Sequence, residues 1–90
     1  MLMKNSEIST ETQELLIQEK LSMINFLSAN IGVCLRLRQR FSNDSELVEL
    51  LEREIKACEG HIKCLCNSVK FNQEMVNAIK ARNKLIKRDV

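Results

Sequence analysis

The sequence predicts an all-α chain folded as an antiparallel, coiled-coil-like helical hairpin, and three observations carry that prediction. Proline is absent, glycine occurs only at Gly32 and Gly60, and the aromatic residues are Phe26, Phe41 and Phe71. Strands need β-branched and aromatic residues with turn punctuation between them, and both are scarce here. Apolar residues instead recur at steps of three and four, the period of a helix face. Only one cluster of turn and cap residues, Ser42-Asn43-Asp44-Ser45, divides the pattern.

The first helix is expected from about Thr10 to Phe41, after a flexible lead of residues 1–9. Thr10 with Gln13 fits a capping box, in which a side-chain oxygen takes up a free amide of the first turn. The seam on this helix reads Ile17, Leu21, Ile24, Ser28, Ile31, Leu35 and Arg38. Leu16, Met23 and Leu37 then fall on one flank, with Leu27, Cys34 and Phe41 on the other. Val33, Leu35 and Leu37 also alternate at strand period, but a lone strand in a helical chain would leave its backbone groups unpaired.

The second helix is expected from about Asp44 to Arg88, with Asn43 and Glu46 forming a looser capping box. Its seam is Val48, Leu51, Ile55, Cys58, Ile62, Leu65, Val69, Asn72, Val76, Ile79, Asn83 and Ile86. Only the two asparagines interrupt this heptad. A break near Gly60 or Asn67-Ser68 would give three helices, the alternative architecture. The seam stays in phase from residue 62 to 79, which favours one continuous helix. Residues 10–88 thus form a single helical domain.

A second apolar stripe runs beside the main seam. Leu50, Ala57, Cys64, Phe71, Ala78 and Leu85 are spaced by sevens, with Leu47 and Met75 alongside. A two-helix hairpin buries one stripe per helix, so the surplus predicts a large apolar face. Leu50, Ala57, Cys64, Phe71, Met75, Ala78 and Leu85 are therefore the candidate partner-binding residues. The hairpin is expected to be completed into a helical bundle by a partner protein or by a second copy.

Other candidate sites carry less. Cys58, His61, Cys64 and Cys66 crowd into "CEGHIKCLC". At about 100° per residue the first three descend one side of a helix, while Cys66 lies about 160° around from Cys64. Structural zinc pairs ligands from two separate elements, and Cys34 is the only further candidate. Packing is the expected role, with Cys58 in the seam and Cys64 in the second stripe. Neither a metal nor a cofactor is expected. No nucleophile, base and orienting group stand out together, so the chain is expected not to be an enzyme.

Composition is 44% apolar and 29% charged, with a net charge of +2. That balance excludes a disordered or membrane-embedded chain and requires no anionic partner. Lys80, Arg82, Lys84, Lys87 and Arg88 crowd the last turns, where they complement the helix dipole. They would be the contact surface if the chain were instead a small regulator on nucleic acid, although the aromatic or polar readers of such a surface are missing. The hairpin would bring the acidic start (Glu7, Glu11, Glu14) toward this basic end. The first residues lack the apolar core of a signal peptide, and no run reaches spanning length, so a cytoplasmic location is expected with reduced cysteines.

"SELVELLEREIKACEGHIKCLC" resembles the second helix of the small helical-hairpin co-chaperones that hold needle subunits in type III secretion systems, and "FSND" resembles their inter-helix turn. The resemblance covers the central half of the chain. It implies a cytosolic, non-enzymatic adaptor that binds a partner chaperone and an aggregation-prone subunit.

Overall fold

A computed structural model describes residues 7–88. Two helices account for nearly all of it: α1, Glu11–Arg40, and α2, Ser45–Arg88. They pack antiparallel along their lengths, making a rod whose Cα extents are 70 × 19 × 14 Å. The lead of residues 1–9 falls mostly outside the described residues. Within them, Ile8 is tied to α2: its N–H donates to Asn83 Oδ1 at 3.0 Å, and its carbonyl accepts from Asn83 Nδ2 at 2.8 Å.

Both helix starts are capped one residue away from the predicted boxes. At α1 the Glu11 amide donates to Ser9 Oγ at 3.1 Å, while the Thr10 hydroxyl donates to Glu14 Oε1 at 2.6 Å. Gln13 reaches across to α2 and takes no part in a cap. At α2, Asp44 Oδ1 accepts the Leu47 amide at 3.1 Å, replacing Asn43 as the cap. A carboxylate there also meets the positive end of the helix dipole. The loop closes tightly, with the Asp44 amide on the Phe41 carbonyl at 3.0 Å.

The α2 seam lies where the heptad puts it. Leu51, Ile55, Cys58, Asn72 and Val76 are buried, and Val48, Ile62, Leu65, Val69, Ile79, Asn83 and Ile86 are half-buried. On α1 the predicted seam needs correction. Ile17, Ile24, Ile31 and Arg38 do face α2, but the alternate positions are Gln13, Lys20, Leu27 and Cys34. Leu21, Ser28 and Leu35 are exposed on the flank. Lys20 explains the displacement: its amino group donates to Ser68 Oγ and to Asn72 Oδ1, each at 2.6 Å. Asn72 Nδ2 in turn donates to Gln13 Oε1 at 2.6 Å. A fully bonded polar layer therefore takes positions where leucine would be the simpler choice, its lysine laying an aliphatic stem along the seam.

α2 is continuous through Gly60 and Asn67, so the hairpin has two helices and not three. A Cβ added at Gly60 would meet nothing within 4 Å. Gly60→Ala should stabilise the fold by up to about 1 kcal/mol, the difference in helix propensity, raising the melting midpoint by roughly 4–8 °C. Thermal circular dichroism checks this.

Candidate docking face

Heptad letters locate every surface residue. With Ile17, Ile24 and Ile31 at a and Lys20, Leu27 and Cys34 at d, the g positions of α1 include Leu16, Met23, Asn30 and Leu37. On α2, Ile55 and Val76 are a, Leu51 and Cys58 are d, and g holds Leu47, Glu54, His61, Ser68, Met75 and Arg82. In an antiparallel pair g flanks meet g flanks and e flanks meet e flanks. Both meetings occur: Asn30 Nδ2 donates to Glu54 Oε2 at 2.8 Å, and Lys80 Nζ pairs with Glu14 Oε1 at 3.8 Å. The hairpin therefore has one g-side face and one e-side face.

Their chemistry differs sharply. Beyond g on the same side lie the c positions, which are Phe26 and Val33 on α1 and Leu50, Ala57, Cys64, Phe71, Ala78 and Leu85 on α2. All six of those α2 residues are exposed, Phe71 and Leu85 at 60% and Leu50 at 57%, and Met75 beside them is exposed too. Phe26 is 71% exposed. Leu16, Met23 and Leu65 line a groove of about 140 Å³ on this face, with Glu19 and Lys20 at its edge. The e-side face carries Glu52, Glu59, Gln73, Lys56, Lys63, Lys70 and Asn77, with Leu21 and Leu35 as its large apolar residues. Every predicted partner-binding residue thus lies on one continuous side of the rod. Phe26 and Val33 belong with them, and only the corrected α1 seam reveals that.

The cysteines divide between the seam and the surface. Cys34 and Cys58 are buried, whereas Cys64 and Cys66 are exposed on opposite flanks. His61 is exposed as well, and among the described residues no group of three His, Cys, Asp or Glu side chains converges to hold a metal. Cys58 Sγ accepts from Asn30 Nδ2 at 3.3 Å and donates to Glu54 Oε2 at 3.6 Å. Burial, then the Glu54 carboxylate and the Cys58 thiol, push the Cys34 pKa above its ordinary value. The folded state therefore holds this proton more tightly than the unfolded chain, so its contribution to stability falls as pH rises above the ordinary thiol value. Cys34 and Cys58 should react with an alkylating reagent at least about 100-fold more slowly than Cys66, because reaction requires an exposed thiolate. Timed alkylation read by peptide mass spectrometry tests the order.

The basic end meets the acidic start. Lys87 Nζ lies 3.4 Å from Glu7 Oε1, alongside the Lys80–Glu14 pair. Lys84 is exposed and Arg82 half-buried, and the Arg88 side chain lies outside those described. Among the described residues no helix is long and apolar enough to cross a membrane. No protein family, curated protein or solved structure matches the chain.

Proposed function

We propose that the chain is a non-enzymatic helical interaction module, an adaptor or co-chaperone that works in the cytoplasm by burying its g-side face against helices of another chain. The observation that carries this is the gathering of Leu50, Phe71, Leu85, Met75, Met23 and Phe26, all exposed, on one side of the rod. Large apolar side chains gathered on one exposed face mark a protein-docking surface, whereas singly scattered ones do not. The internal core points the same way. Its buried apolar residues are Cys34, Leu51, Ile55, Cys58 and Val76, few for a chain of 90 residues. The likeness of the central segment to needle-subunit co-chaperones suggests the kind of client, an aggregation-prone helical subunit held with a partner chaperone.

Nucleic-acid binding through Lys80, Arg82, Lys84, Lys87 and Arg88 is the alternative, and the salt bridges to Glu7 and Glu14 weaken its basis. A photo-crosslinking residue placed at Phe71, compared with one at Lys63 on the e-side face, separates the possibilities in cells. Crosslinks to protein from position 71 and not 63 support docking. Equal crosslinking from both positions, or crosslinks to nucleic acid and none to protein, would overturn it.

A further inference from the structure

We infer that the g-side face is covered by a second copy of this chain, with α2 lying antiparallel on α2 of the other copy to form a four-helix bundle. The inference rests on the docking-face proposal and names its occupant.

Three observations select a second copy. The first is angular. Measured around either helix at about 100° per residue, the g and c positions lie on average roughly 110° from the seam that joins α1 to α2. A third helix lodged in the groove would ask for about 60° between seams, and a square of four helices for about 90°. The face is therefore shaped for a layer of two helices. The second is size. The stripe from Leu50 to Leu85 is about 50 Å long at 1.5 Å per residue. Its occupant needs two antiparallel helices of that order, which α1 with 30 residues and α2 with 44 supply. On a rod 19 Å wide, a stripe of that length is comparable in projected area to the roughly 800 Å² per partner that a standard interface buries.

The third observation is the sequence of the stripe itself. Read along α2 it runs Leu50, Ala57, Cys64, Phe71, Ala78, Leu85. A two-fold axis crossing α2 near Asn67-Ser68 sets Leu50 against Leu85 of the second copy, Ala57 against Ala78, and Cys64 against Phe71. Like sizes meet at the ends, and a small residue meets a large one at the centre, so the stripe is complementary to its own reverse. The same axis carries Glu54 toward Arg82 of the second copy and Phe26 toward the groove lined by Leu16, Met23 and Leu65. Glu19 and Glu54 are balanced on this face by Arg40 and Arg82, so these four side chains leave the face with no net charge. An isologous contact of this kind closes on itself as a dimer and does not propagate.

Sedimentation equilibrium on the full chain from 1 to 200 μM should give twice the 10.4 kDa chain mass. Phe71→Glu should weaken dimerisation at least 100-fold while the far-ultraviolet helical signal is kept, and Lys63→Glu should leave the mass unchanged. A swap tests the register. Cys64→Phe and Phe71→Cys should each weaken the dimer tenfold or more, and the double variant should return within a few-fold of wild type. An additive loss in the double variant overturns the antiparallel pairing. A 10.4 kDa monomer at 200 μM overturns the dimer; if position 71 still crosslinks another protein, the docking face stands with a different occupant. A dimer indifferent to Phe71→Glu places the contact elsewhere and overturns this pairing; if position 71 also crosslinks no protein, the docking face falls with it.

Discussion

Val76→Asp is expected to abolish the cooperative helical transition at 25 °C, whereas Ala78→Asp, two residues along the same helix, should leave it in place. Val76 is 2% exposed at the a position of the seam. A carboxylate at that buried position gives up its hydration inside the seam, a penalty of several kcal/mol. Domains of this size are stable by about 5–13 kcal/mol in all, and a hairpin with so small a core belongs at the low end. Ala78 is exposed on the c stripe, so its replacement leaves the intrachain seam intact. Thermal and urea melts followed at 222 nm decide the matter. Equal damage from the two substitutions would mean that the seam and the stripe are wrongly separated.

The second large effect lies in the polar layer. Asn72→Leu should destabilise the hairpin by about 1–3 kcal/mol, because Lys20 loses one acceptor and Gln13 loses its donor in a part-buried site. Adding Lys20→Met should recover the part of that loss that comes from the lysine, with Gln13 still lacking its donor. Removing both partners of a buried polar contact is nearly neutral, whereas orphaning one is not. A double-mutant cycle in urea measures the coupling, expected at 1 kcal/mol or more. Additive effects would show that Lys20 and Asn72 do not act as a unit.

The α2 seam was legible because its periodicity is carried by strong apolar residues on a polar background, interrupted only at Asn72 and Asn83. Both interruptions have structural partners, Gln13 and Lys20 for one and the Ile8 backbone for the other. On α1 the same rule misled at alternate positions. Leu21 and Leu35 are more apolar than Lys20 and Cys34, so hydrophobicity chose the wrong neighbour at those two turns, and Ser28 was taken over Leu27 by keeping in step with them. The available signal was a match of polar residues across the hairpin, with Lys20 and Gln13 facing Asn72 at the spacing the loop imposes. The caps shifted by one residue, with Asp44 on the Leu47 amide and Ser9 on the Glu11 amide, because Ser9 and Thr10, like Asn43 and Asp44, stand side by side and each can cap. The docking stripe on α2 could be read outright, but its continuation through Phe26 and Val33 depended on the α1 phase.

The claim that the g-side face is a docking surface has a native probe in Cys64 and Cys66. Both thiols are exposed in the hairpin, one on the apolar stripe and one on the opposite flank. Alkylation rates of the two, read from the same digest, should be similar in chain diluted to nanomolar concentration. At 100 μM, Cys64 should slow at least tenfold while Cys66 stays unchanged. Equal rates for the two thiols at every concentration and in cell extract would contradict a covered face.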